Sequence, residues 1–215
     1  MIETATGLIL RVRPLTDTSL IIHWLTSTCG RIATVAKGAR QAKSAFAGKL
    51  DLFYLADFSF QRSRRSELHL LREVKLLNPN AEIRRELGYL QQASYAAKLI
   101  EVTTEEQTPL PEICELAQAW LAQLTKQPPL PQILFAFEFR LLEHLGLAPD
   151  LESSSQPPDV LKLADVLSTS DWPLLGRLKL SPKQISQIRS FLHQCETAHV
   201  GPNFKLRYAT LPGEE

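Results

Sequence analysis

The chain has 215 residues, of which 44% are hydrophobic and 22% charged, a balance that fits a folded globular protein and excludes a disordered one. The net charge of +1 hides an uneven distribution: residues 1–77 hold 12 Lys/Arg against 6 Asp/Glu, and residues 78–215 hold 12 against 17. A basic part joined to an acidic part suggests two modules, one of which meets a polyanion.

The first module reads as strands. "GLILRV" (7–12), "SLIIHWLT" (19–26) and "RIATVA" (31–36) are short and rich in β-branched residues, with turn residues between them. "DLFYLADFSFQ" (51–61) alternates, which predicts Leu52, Tyr54, Ala56, Phe58 and Phe60 on one face. "SELHLLREV" (66–74) predicts Leu68, Leu70 and Val74 on one face, with Glu67, His69 and Glu73 opposite. Five short strands in about 75 residues predict a small closed barrel, of the SH3-like or OB kind. After Asn78-Pro79 the apolar period becomes helical. Helices are expected over 81–102, 111–124 (opened by Pro111), 131–146 (stopped by Gly146), 160–167 and 181–196, with a polar, Pro-rich loop at 148–159. The expected class is α+β: a five-stranded barrel over 1–78, then a helical bundle over 79–215.

Catalytic and metal signatures are scarce. There is no His-Glu-x-x-His, Gly-x-Ser-x-Gly or Cys-x-x-Cys. "GARQAKS" (38–44) lacks the Gly before Lys43 that a phosphate loop needs. Cys195 and His199 in "HQCETAH" are four apart, but a closed zinc site wants four ligands. His23, His69 and His144 read as packing or surface residues. The expectation is a non-enzyme without cofactor or metal. Cys29, Cys114 and Cys195 are too few for a disulfide framework, which suggests a reducing cytosol. The N-terminus does not read as a signal peptide, and no apolar run reaches the roughly 20 residues that span a bilayer.

The informative stretch is "VAKGARQAKSAFAGKL" (35–50). Residues 18–50 contain five cations (Arg31, Lys37, Arg40, Lys43 and Lys49) and no Asp or Glu. Cations without acids, on small residues that let a backbone approach closely, suit phosphate. Spacing of three puts Lys37, Arg40 and Lys43 along one side if the segment is a short helix, and along a longer path if it is extended. Arg62, Arg64 and Arg65 at the "RSRR" tip extend the stripe. Phe46 is the candidate for stacking on a base. No base-reading module is evident, so binding is expected to depend little on sequence and strongly on salt.

The order from "GLILRVRPLTDTSLIIHWLTSTCGRIATVAKGARQAKSAFAGKLDLFYLADFSF" through "SELHLLREVKLL", with "FAFEFRLLEHLGLAPDL" (135–151), resembles the bacterial RecO recombination mediators. The resemblance implies an OB-fold followed by a helical domain, and no catalysis. It implies binding to single- and double-stranded DNA and annealing of complementary strands. With RecR, such proteins help RecA replace single-strand binding protein, in the cytoplasm at the nucleoid. Lys37, Arg40, Lys43 and Lys49 match the family's basic DNA-binding segment. The helical domain of relatives holds the acidic, hydrophobic tail of single-strand binding protein; Arg140, beside Phe137 and Leu141, is the candidate cation for it. Many relatives carry a four-Cys zinc cluster just after "LGLAPDL". Here that stretch reads "ESSSQPP", so the zinc module is expected to be missing. The competing reading is an adaptor whose basic face grips an acidic protein, with DNA binding incidental.

Overall fold

A computed structural model describes residues 1–151 and 154–200, with side chains described to residue 197. Five strands, β1 (Ile2–Pro14), β2 (Leu20–Thr26), β3 (Gly30–Ala36), β4 (Leu55–Gln61) and β5 (Leu68–Asn78), close into a barrel in the order β1-β2-β3-β5-β4. All neighbours are antiparallel except β3 and β5, which pair in parallel over Ala33–Val35 and Leu68–Leu70. This order, with its one parallel pair, is the OB arrangement and settles the choice between the two expected barrels.

Alternation fills the interior. Ile9, Ile22, Trp24, Ile32, Phe58, Phe60, Leu71 and Val74 form one core cluster. Trp24 stacks on Phe58 with ring centroids 4.0 Å apart and donates its indole N–H to the Thr34 hydroxyl at 2.8 Å. An indole donor in an apolar interior needs such a partner.

Two predicted faces are corrected. β4 begins at Leu55, and residues 51–54 form a turn in which Phe53, rather than Leu52 or Tyr54, is buried. On β5, His69 and Leu71 face inward with Val74, while Leu68 and Leu70 are half-exposed. The cause is a bulge: Ser59 faces Glu73 but Phe60 faces Leu71, so Arg72 is an extra residue that reverses the alternation. His69 stacks on Phe60 at 5.4 Å and accepts a hydrogen bond from the Ser63 N–H at 3.4 Å.

Residues Met1–Ala81 and Thr104–Glu115 make one compact unit. The second piece straps the barrel. Gln107 N–H donates to Arg31 O at 2.9 Å, and Leu110 N–H to Ser27 O at 3.1 Å. Arg31 donates to the Thr104 hydroxyl and carbonyl, both at 2.7 Å, and its guanidinium lies 3.8 Å from Glu106. Gly30 (φ +66°) lies so close beneath Thr108 that a Cβ would sit 1.9 Å from its carbonyl oxygen.

A 3-10 turn (Ala81–Arg85) leads to the helices: α1 (Leu87–Thr103), α2 (Pro111–Leu124), α3 (Pro131–His144), α4 (Pro158–Thr169), α5 (Trp172–Leu175) and α6 (Pro182–Val200). Residues 82–103 and the described residues from Leu116 onward form the second unit. α3 is its axis. Phe135, Phe137 and Leu141 are fully buried, and α1, α4, α5 and α6 all pack on it. A helix apolar on nearly every side belongs inside. Trp120 of α2 donates to Ile133 O at 3.1 Å and its ring lies 4.8 Å from Phe137. The unit also buries two carboxyls. Tyr95 of α1 donates to Glu138 of α3 at 3.2 Å and reaches Glu196 of α6 at 3.4 Å. Burial raises the Glu196 carboxyl to about 7. No described helix is long and apolar enough to cross a membrane.

Candidate nucleic-acid interface

The cationic part of the acid-free stretch, residues 37–50, is neither a helix nor an extended strand. Between β3 and β4 the chain winds through successive turns. Gln41 N–H donates to Gly38 O at 3.1 Å, Ser44 to Gln41 at 3.1 Å, Ala47 to Ser44 at 3.2 Å and Lys49 to Phe46 at 3.0 Å. This three-residue repeat coincides with the spacing of Lys37, Arg40 and Lys43, all of which are exposed. Gly38 and Gly48 both sit at φ +70°, where glycine is the residue without steric cost, and nothing lies within 4 Å of a Cβ built at Gly48.

The loop is pinned at two points. Arg40 N–H donates to Thr18 O at 3.0 Å and its guanidinium to Thr16 O at 2.9 Å, which ties it to the turn between β1 and β2. Phe46 is 9% exposed and packs into the barrel core, with Ala39, Leu50 and Tyr54 against the same cluster. It is the loop's apolar anchor, and the small part of it left uncovered borders a groove of about 820 Å³. Among the described residues, no ion pair holds Lys37, Arg40, Lys43 or Lys49. The loop therefore presents cations on a fixed backbone, outside any ion pair among the described residues.

The remaining expected cations separate. Arg64 and Arg65 are exposed. Arg62 is instead held by Glu3 through two bonds of 2.8 and 2.9 Å, with a third to Gln107 at 3.1 Å. That pair lowers the Glu3 carboxyl and raises the guanidinium. Arg62 is thus a staple between β1 and the end of β4 rather than an open phosphate ligand. Arg31 is likewise committed to the strap.

Other cations were not expected. Arg11 and Arg13 flank the inward Val12 and so share the outer face of β1; Arg11 is directly opposite His23. Arg13 is exposed, with its guanidinium 3.2 Å from His23 Nε2. Burial, then Arg11, Arg13 and Arg31, lower His23 to about 4. The neutral ring accepts from Arg13. The Arg-Val-Arg alternation carried this signal. Arg72 and Lys75, on β5, are exposed and line a groove of about 820 Å³ that Lys49 also borders. The bulge that turns Arg72 outward has no mark in the sequence.

In the helical unit, one of the two partner-binding candidates is corrected. Phe137 is fully buried and offers no surface. Arg140 donates to Ser168 O at 3.0 Å and to Ser170 O, closing the end of α4, and lies 4.1 Å over the Trp172 ring. The two carbonyls take two of the guanidinium's five N–H donors, and the Trp172 ring covers one of its faces. Cys195 is half-buried, with its thiol raised to about 11 by burial; the His199 side chain lies outside the described residues. Among the described residues, no group of three or more His, Cys, Asp or Glu is placed to hold a metal.

Residues 1–80 match the family model for Recombination protein O N terminal, and residues 84–157 that for Recombination protein O C terminal. Similar curated proteins share one name, DNA repair protein RecO. That of Anaeromyxobacter sp. (strain K) is 31% identical over 151 residues, covering 70% of this chain and 59% of the relative. That of Syntrophus aciditrophicus (strain SB) is 30% identical over 146 residues, covering 68% and 56%. That of Bacillus pumilus (strain SAFR-032) is 28% identical over 152 residues, covering 71% and 59%. The matched region therefore spans less than two thirds of the length of these relatives.

Proposed function

The chain belongs to the RecO family, and from that premise we propose that it acts in DNA repair and recombination as a non-enzymatic DNA-binding protein. It binds single- and double-stranded DNA and anneals complementary strands. With a RecR partner, it helps RecA take over DNA coated by single-strand binding protein. The observation that carries the DNA-binding reading is the pinned loop with Lys37, Arg40, Lys43 and Lys49, exposed or half-exposed and without ion pairs among the described residues. Cations presented this way exchange counterions for phosphate, whatever the base sequence. Arg13, Arg64 and Arg65 add exposed charge on the same unit.

For the tail of single-strand binding protein, the supporting surface is the α5 turn. Leu174 is 54% exposed there, and Trp172 lies under Arg140. The RecR and RecA roles rest on family membership alone.

The test is fluorescence anisotropy of a labelled single-stranded oligonucleotide across a salt series. Wild type is compared with a Lys37→Glu/Arg40→Glu/Lys43→Glu variant whose folding is checked by circular dichroism. Steep salt dependence in wild type, lost with affinity in the folded variant, supports the reading. Equal binding by both overturns it and directs attention to an acidic protein partner.

A further inference from the structure

The outer faces of the strands differ. On β1 and β2, Leu8 and Leu25 alternate with the core residues Ile9 and Trp24, so they turn away from the barrel interior, yet both are buried. That part of the surface is closed. Elsewhere on β1, and on β4 and β5, Thr4, Thr6, Asp57, Ser59, Glu73 and Lys75 border the groove of about 820 Å³, which Phe46, Phe58 and Val74 also line. The strand register sets them in rows. Thr6 faces Asp57, which faces Lys75, and in the next row Ser59 faces Glu73. Thr6 donates to Asp57 Oδ1 at 2.7 Å, which leaves the carboxylate's second oxygen for a ligand.

Three cations, Lys49, Arg72 and Lys75, border this groove together with two carboxylates, Asp57 and Glu73. A bare polyphosphate is repelled by the acids. A single strand with its bases toward the acids is not. Its phosphates take the cations, and the carboxylates accept from exocyclic amino groups, as acidic side chains accept from the cytosine 4-amino group. Thymine has no such group. Lys49 joins the two surfaces, because it ends the cationic loop and borders the groove.

We infer that this groove holds the bases of a single DNA strand, and that Asp57 and Glu73 give it a preference for bases that carry an amino group. The inference rests on the DNA-binding reading above and adds a base preference to it. The strand passes from the cationic loop into the groove. The carboxylates weaken binding in general and select among bases in return.

The test compares thymine-only and cytosine-only oligonucleotides of equal length by anisotropy, at pH 8, where cytosine tracts stay unpaired. Wild type is expected to bind the cytosine tract about three- to tenfold more tightly. Asp57→Ala/Glu73→Ala is expected to tighten thymine binding and bring the ratio near one. Glu73→Ala alone, at an exposed position, is expected to at least halve the ratio, which keeps the test decisive if the double variant does not fold. Equal affinities in wild type, or a ratio that survives these substitutions, overturns the groove. If the loop reversal abolishes binding while the groove substitutions leave the ratio at its wild-type value, the groove alone fails. If neither tract binds, the DNA-binding reading fails with it.

Discussion

Arg62 and Glu3 meet through two parallel hydrogen bonds of 2.8 and 2.9 Å, so a cation that the sequence offered to phosphate is already spoken for by a carboxylate 59 positions away. Bidentate geometry makes this pair worth more than most surface ion pairs. Arg62→Ala is expected to lower stability by about 1 kcal/mol in chemical denaturation, while changing oligonucleotide affinity by less than about twofold. An affinity loss as large as that of the loop reversal would put Arg62 back among the DNA contacts.

Gly30 is the point where the strap presses hardest on the barrel. Its positive φ and the Thr108 carbonyl directly above it both exclude a side chain. Gly30→Ala is expected to cost about 2 kcal/mol or more. Hydrogen exchange is expected to show the loss in residues 104–110 and in the start of β3. Uniform loosening of the whole barrel would show instead that the strap contributes little.

His23 links the barrel to acid. Its folded value is about 4, lowered by burial and three arginines from an ordinary 6.5. The folded state therefore binds fewer protons than the unfolded one between these values. The stabilising contribution is present above pH 6.5 and disappears as pH falls toward 4. Glu3, also lowered, acts in the same direction at more acid pH. Thermal unfolding from pH 7 down to 4 is expected to show a falling midpoint, with a shallower fall in His23→Gln.

Glu196 has the opposite sign. Burial raises its carboxyl from 4.5 to about 7, with Glu138 and Tyr95 opposing the shift. Its contribution is complete below pH 4.5 and is lost as pH rises through 7. Glu196→Gln is expected to raise the melting temperature at pH 8 and to leave it nearly unchanged at pH 4.5. Destabilisation at pH 8 would show that the ionised form is the one the fold needs.

Strand and helix existence was legible because period and turn residues agree along most of the chain. The buried Ala56, Phe58 and Phe60 follow the alternation, and α2 occupies the predicted residues 111–124. Register was not legible. The extra Arg72 inverts the faces of β5, and no local residue preference announces a bulge. Within the cationic stretch, sequence showed which charges lack nearby acids in the chain. It did not show which acids arrive from elsewhere. Arg31 and Arg62 find theirs in Glu106 and Glu3, at separations no periodicity encodes. Phe46 was ambiguous for a related reason: an aromatic among alanines reads as exposed unless the barrel end that receives it is known.

The strap also imposes an order of events during synthesis. The ribosome delivers β5 first and then all of α1 before Thr104–Leu110 emerges to join β3 and the turn before it. For that interval the nascent barrel has its strands but leaves Arg31 and the β2–β3 corner uncovered. A fragment released after the fifth strand would remain in that state permanently. Translation itself thus separates closure of the sheet from completion of the unit.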